Sequence, residues 1–288
     1  MIWLIGNRGM LGSEVEALLR ESGREYLLSD KEVDITSLEA LSDFARDKRI
    51  YWIINCSAYT AVDRAEDEPE RAFGINSRGV GNIARIANEK RARLIHISTD
   101  YVFDGEQNEP YTEDDSTRPA SVYGKSKLMG EEEILKAVSG HFIIRTAWLY
   151  GKSGPNFVHT MLRLFNERDE VRVVNDQRGS PTFAVDLARA IIKIAVDDSH
   201  KYGIYNYTNE GVISWYDFAC EIYRLAREYT LTKRDVKIIP ITTGEYLTRA
   251  IRPKDSSLSK EKIKRELGVE CRNWKEALEE YIGMIDDG

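Results

Sequence analysis

The chain opens on Met1-Ile2-Trp3-Leu4-Ile5, an apolar run long enough for one fully buried strand, and meets Gly6-Asn7-Arg8-Gly9-Met10-Leu11-Gly12 at once. From Ser13 to Glu21 the apolar period becomes helical, with Val15, Leu18 and Leu19 on one face. Few folds place a buried strand, a glycine turn and an amphipathic helix in immediate succession; a parallel sheet wound by helices does. The glycines let a ligand approach the backbone. The free N–H groups of the helix start favour an anion such as a pyrophosphate. The spacing is one residue longer than G-x-G-x-x-G, and a tight turn with no ligand would use the same letters. The residues after the helix favour a dinucleotide. Tyr26-Leu27-Leu28 reads as a second strand, and Asp30 stands where an acidic side chain takes hydrogen bonds from an adenosine ribose.

The pattern then repeats. A helix is predicted over about 38–47, capped by Thr36 or Ser37, and a strand over 50–56 that ends in Ser57-Ala58-Tyr59-Thr60. Thr60 and Asp63 have the spacing of a capping box, and a long helix follows Pro69 over about 70–89. A strand over 94–98 leads into Thr99-Asp100-Tyr101-Val102-Phe103-Asp104-Gly105, then an acidic irregular loop over 106–120. Within it Glu113-Asp114-Asp115 reads as a solvated run, not a metal site. A helix over 122–138 and a strand over 142–145 complete residues 1–150 as an α/β, doubly wound parallel (Rossmann) sheet. Its polar loops converge at the C-terminal ends of the strands, where such sheets bind ligands. Residues 151–288 mix helices near 157–165, 184–197 and 215–228 with short strands near 171–175, 203–207 and 236–241. A terminal helix begins at Asn273 and Glu276. This half reads as a smaller α+β lobe for substrate, with about 183–209 packing back on the first domain.

Composition narrows the partners. A net charge of −7 gives no broad basic surface, so a nucleic acid polymer is not an expected partner. Cys56, Cys220 and Cys271 are odd in number and far apart, with no disulfide framework or zinc spacing. The four histidines form no ligand pair, and each reads as a packing or solvated residue. No apolar run reaches transmembrane length, and no secretory leader precedes the first strand; a cytoplasmic enzyme without a membrane partner is expected.

Tyr123 and Lys127 are four apart inside a predicted helix, so they share one face. A phenol titrates near 10, and bringing it to about 7 takes roughly 4 kcal/mol of differential stabilisation. A neighbouring ammonium in a partly dry site supplies that direction of shift. A bare Y-x-x-x-K is usually an ordinary helix surface. Thr99 changes the balance, because it ends a strand beside the crevice and its hydroxyl can reach the carbonyl that Tyr123 would protonate. An alcohol, a phenol and an ammonium beside a dinucleotide make a hydride-transfer site.

Over nearly its whole length the chain resembles the extended short-chain dehydrogenase/reductases. The resemblance is carried by Gly6 to Gly12, Asn55 to Glu66 (NCSAYTAVDRAE), Ser98 to Gly105 (STDYVFDG), Tyr123 to Lys127, Arg145 to Tyr150, Asn175 to Thr182 (NDQRGSPT) and Arg252 to Ser257. Several of these are similar to the branch that reduces the 4-keto group of dTDP-4-dehydro-L-rhamnose to dTDP-L-rhamnose. The resemblance implies hydride from NADH or NADPH, a proton from Tyr123, a ribose contact and tuning of Tyr123 by Lys127, and carbonyl polarisation by Thr99. It implies that Asp100 and Trp148 position the sugar. Gly6, Gly9, Met10, Leu11, Gly12, Asp30, Asp34, Ile35, Ala58, Tyr59 and Thr60 would line the cofactor with Tyr123 and Lys127. Arg252 would meet the substrate diphosphate, unless its basic loop is merely solvated. Asp30 favours NADH while Arg8 suits a 2′-phosphate, so the cofactor choice stays open. The resemblance also implies a homodimer and, in some relatives, an interfacial magnesium ion, for which no cluster here assigns ligands.

Other readings use the same core. A dehydratase of this group needs a second carboxylate after the strand, and Asp100 is followed by Tyr101. A reductase or epimerase of another nucleotide sugar fits the letters too. So does a catalytically silent NAD(P)-binding regulatory subunit, though Thr99, Tyr123 and Lys127 are all retained.

Overall fold

A computed structural model describes residues 1–197 and 199–286. The first half runs β1 (Ile2–Ile5), α1 (Met10–Glu21), β2 (Tyr26–Ser29), α2 (Leu38–Ala45), β3 (Trp52–Asn55), α3 (Val62–Ala65), α4 (Pro69–Phe73) and α5 (Val80–Lys90). It continues through β4 (Arg93–Thr99), α6 (Val122–Ala137), β5 (His141–Thr146) and β6 (Leu149–Tyr150). The second half runs α7 (Phe157–Glu167), β7 (Glu170–Val174), β8 (Arg178–Gly179), β9 (Thr182–Phe183), α8 (Ala184–Val196) and β10 (Gly203–Asn206). It ends with β11 (Ile213–Ser214), α9 (Trp215–Glu228), β12 (Lys237–Ile241), α10 (Glu261–Leu267) and α11 (Trp274–Asp286).

Six strands form one sheet in the order β10-β5-β4-β3-β1-β2, and every pairing is parallel. The chain leaves β1 on one side for β2 and returns on the other for β3. That reversal opens a crevice beyond the C-terminal end of β1. β1 is apolar at every position because both sheet faces are covered. Its alternating side chains enter two cores. Ile2 and Leu4 pack with Leu11, Val15 and Leu19 of α1 and Leu187 and Ile191 of α8. Trp3 and Ile5 pack with Leu41 of α2 and Ile83 and Ile86 of α5. β10 and α8 therefore belong to the sheet layers although they come late in the chain. A third core joins Tyr150 and Phe183 to Phe165, Phe218, Leu225 and Leu278.

Several local expectations change. α1 begins at Met10, inside the glycine turn, because Gly9 serves as its N-cap. The helix expected over 70–89 is divided: α4 passes through a π-helical turn at Gly74–Gly79 before α5. The widened turn presents Asn76, whose amide accepts the Tyr59 N–H at 2.8 Å and donates to the Tyr59 carbonyl and Ser126 hydroxyl at 3.0 Å each. The Thr60–Asp63 capping box does not form. α3 is capped at Ala61 without a side-chain bond, and the Asp63 carboxylate is taken by Arg252 at 2.7 Å. Glu113 is not simply solvated: it accepts the Asn206 N–H at 2.8 Å and ties its loop to β10. At the other end, Asn273 accepts the Lys275 N–H at 2.9 Å and opens α11.

Candidate active site

The crevice encloses about 1070 Å³ along the C-terminal ends of β1, β3, β4 and β5. Its floor is the glycine turn. Gly6 has φ +81°, in the left-handed region, and a Cβ there would lie 2.7 Å from the Ser57 nitrogen. A Cβ on Gly12 would lie 2.0 Å from the Gly6 carbonyl oxygen, so only glycine lets α1 abut the turn. Gly6, Gly9, Met10, Leu11, Asp30, Asp34, Ile35, Ala58 and Thr60 all line the crevice. Gly12 and Tyr59 do not. Gly12 stands behind the turn, and Tyr59 is held away by Asn76 and by its hydroxyl, which donates to Glu68 at 3.0 Å. Asp30 accepts the N–H groups of Arg8 at 3.2 Å and Lys31 at 2.8 Å. The Arg8 guanidinium points outward to Glu32 at 3.4 Å.

Tyr123, Lys127 and Thr99 meet on the opposite wall. Ser121 caps α6 by accepting the Gly124 N–H at 3.1 Å, which fixes the first turn and sets Tyr123 one turn before Lys127. Thr99 closes β4. Its hydroxyl donates to Asp100 Oδ1 at 2.9 Å and accepts the Tyr101 N–H at 3.2 Å. Burial pushes Tyr123 up to about 12, against the nearby Thr99 hydroxyl, which favours the phenolate. In the unliganded chain burial decides the phenol, and Lys127 does not bring it down. The lysine Nζ donates to the Ile97 carbonyl at 2.6 Å and touches His96 Nε2 at 3.3 Å, and burial lowers Lys127 to about 8. Before any ligand binds, the phenol is a neutral acid.

Around this trio the wall carries the groups expected to meet a sugar. Asp100 is 2% exposed, and burial raises it to about 6. Trp148 has φ +46°, rare for a bulky side chain. It stacks on Trp215 with ring centroids 3.5 Å apart, and its ring would meet a Cβ on Gly179 at 2.7 Å. Arg252 lies off the crevice, in a small adjoining recess with Arg178 and Trp215 that shares Tyr101 and Trp148 with it. Arg252 already has a counter-ion, Asp63, and Arg249 pairs with Asp67 beside it. Ser57 and Thr146 also line the crevice, on the strand-end loops that the sequence places there without giving either residue a role, and sequence reasoning missed Gly154 and Pro155, which carried no signal. Among the described residues, no group of three or more His, Cys, Asp or Glu side chains could hold a metal ion.

A family model described as the RmlD substrate binding domain matches residues 1–286. The chain is 41% identical over 281 residues to a dTDP-4-dehydrorhamnose reductase of Aggregatibacter actinomycetemcomitans, covering 96% of each. It belongs to the dTDP-4-dehydrorhamnose reductase family. Two solved members of this reductase family share the fold. One, from Clostridium acetobutylicum, superposes with a TM-score of 0.93 at 43% identity over 99% of both chains. The other, from Bacillus anthracis and in complex with NADP, gives 0.92 at 37% identity over 98% of both. The crevice here fits a dinucleotide of that kind, since the glycine cradle leaves backbone open where any Cβ would intrude.

Proposed function

We propose that this chain reduces the 4-keto group of dTDP-4-dehydro-L-rhamnose to the hydroxyl of dTDP-L-rhamnose, the last step of dTDP-rhamnose synthesis, with NADH or NADPH. The observation that carries this reading is that Tyr123, Thr99 and Lys127, the last one turn on along α6, line one crevice floored by the glycine turn. Bound reduced nicotinamide supplies the hydride. Gly6, Gly9, Met10 and Leu11 would hold the pyrophosphate and Asp30 the adenosine ribose. Asp34, Ile35, Ala58 and Thr60 would flank them, and Lys127 would hold the nicotinamide ribose.

Thr99 and Tyr123 are the two donors for the ketone oxygen. A substrate carbonyl accepts the phenol proton, and the Thr99 hydroxyl turns from Asp100 to the same oxygen. The neutral phenol is the form a reduction needs. The alkoxide that develops on the sugar is far more basic than a phenolate, so proton transfer runs downhill even from a phenol held at about 12. Asp100 would take a sugar hydroxyl, and the Trp148–Trp215 stack offers an apolar face to the deoxy carbon. Residues 151–288 would supply much of the substrate wall, with Arg252 released from Asp63 to meet the diphosphate. No helix among the described residues is long and apolar enough to cross a membrane. A homodimer working in the cytoplasm completes the reading.

Mixing the protein with dTDP-4-dehydro-L-rhamnose and reduced cofactor tests it. The reading requires loss of nicotinamide absorbance in step with dTDP-L-rhamnose formation. Stoichiometric binding without turnover would instead make the chain a regulatory subunit.

A further inference from the structure

Behind Lys127 lies a pair of buried side chains that the reaction does not itself use. Asn55 ends β3 and sits opposite His96 in the parallel register with β4. Both are fully buried. The Asn55 amide has only one orientation open to it. The backbone N–H of Ser57 donates to its Oδ1 at 3.0 Å, and the Ser57 hydroxyl lies 2.6 Å from the same oxygen. An N–H can only donate, so the atom facing it is the carbonyl oxygen. The amide Nδ2 is thereby turned to His96 Nδ1, 3.0 Å away. It donates there, so Nδ1 carries no proton. The one proton of the neutral ring is on Nε2, and Nε2 faces Lys127 Nζ at 3.3 Å. Burial keeps the ring neutral, well below its ordinary value.

An N–H aimed at an amine is a hydrogen bond; aimed at an ammonium, it is two donors face to face. We propose that Asn55 and His96 lock an N–H against Lys127 and so loosen its hold on its proton, which makes His96 a positioning residue for the reduction. The surroundings divide in sign. Burial lowers Lys127, while Glu131 one turn on and the Cys56 sulfur raise it. Arg145 largely consumes the charge of Glu131 at 2.7 Å. Tyr123 is the remaining titratable group on the same helix face, and the Ile97 carbonyl accepts one lysine N–H in either state.

The consequence concerns the proton that Tyr123 gives away. The phenol O–H breaks as the sugar O–H forms, which leaves a phenolate. A lysine with a loosened proton can return one to the phenolate, and its lone pair is then received by the His96 N–H. Water reprotonates the amine, so the net proton comes from solvent.

The lock itself can be tested without substrate, by 15N-histidine NMR of the full chain. The proposal requires one histidine with Nε2 protonated and Nδ1 bare, unchanged from pH 6 to pH 9 (about three pH units around neutrality). A His96 protonated on Nδ1, or exchanging between tautomers, would overturn it. Only the kinetic half rests on the reductase reading. Asn55→Asp presents an acceptor to Nδ1 and turns the bare Nε2 to the ammonium. His96→Gln removes the ring N–H and serves where the first variant fails to fold. The alkaline limb of kcat/KM should move up by about one pH unit or more in either. A merely structural His96 predicts a lower kcat with the limb in place, and that result would refute its effect on Lys127. Wild-type protein with no turnover of the keto sugar would overturn the reductase reading and leave the tautomer result standing.

Discussion

Replacing Glu131 by alanine removes the carboxylate under the catalytic strand. Glu131 and Arg145 are 1% and 3% exposed at the side chain, so solvent screens neither. Glu131 accepts from Arg145 Nη2 at 2.7 Å, from Arg145 Nε at 3.0 Å and from the Ser98 hydroxyl. Alanine leaves a buried guanidinium with the Phe103 ring 5.0 Å from its centre and the weaker attraction of Glu113 in place of a bonded carboxylate. Breaking one side of such a pair costs about 4 kcal/mol, because the other charge stays buried and unpaired. For a chain of this length that lowers the melting temperature by about 7 °C. Glu131 also raises Lys127, so the alkaline limb of kcat/KM should fall in the same variant. Replacing both members, Glu131→Leu with Arg145→Met, should recover most of the stability, since the pair gains little over apolar packing. Thermal melts of the unliganded protein at neutral pH decide it. A shift under about 2 °C for the single variant, or no recovery in the double one, would refute the argument.

Asp100→Asn tests a pH effect with a definite sign. Its folded value of about 6 lies above the ordinary 3.8, so the folded state binds the proton more tightly than the unfolded chain. That stability is fully present below about pH 4 and is lost as pH rises through about 6, a cost of about 3 kcal/mol at pH 7.5. The variant should melt higher than wild type at pH 7.5, match it near pH 4 and lose turnover; equal melting at both pH values would remove the desolvation argument. Asp30→Ala should raise KM for NADH more than for NADPH, because the 2′-phosphate has no use for a carboxylate. Equal losses would show that Asp30 does not read the 2′ position.

What the sequence made legible was local. The glycine turn, the strand ends and the Tyr123–Lys127 spacing lie within single turns, where short-range geometry settles which face a residue takes. Thr99 was legible because a buried parallel strand ends where its apolar letters end. Long-range competition was not legible. Asp63 has the spacing of a helix cap, yet its carboxylate goes to Arg252, 189 positions away. Tyr59 belongs to a loop at the crevice, yet Asn76 turns it inward through a π-helical turn that no periodicity announces. Electrostatics failed for the same reason. Letters placed an ammonium near a phenol, but not the Ile97 carbonyl and His96 ring that the ammonium also meets. His96 looked like one more packed histidine because its meaning depends on Asn55, a strand away.

Turnover of Tyr123→Phe, measured beside its cofactor affinity, tests the central chemistry most directly. The change keeps the ring that packs edge-on to Tyr101 at 5.5 Å and removes only the proton donor. With the keto sugar saturating, kcat should fall by about 10²- to 10⁴-fold, while Kd for the reduced nicotinamide stays within about twofold, as expected when an interaction made only in the transition state is lost. A variant that still reduces the sugar at near the wild-type rate would contradict the assignment of the phenol as the acid.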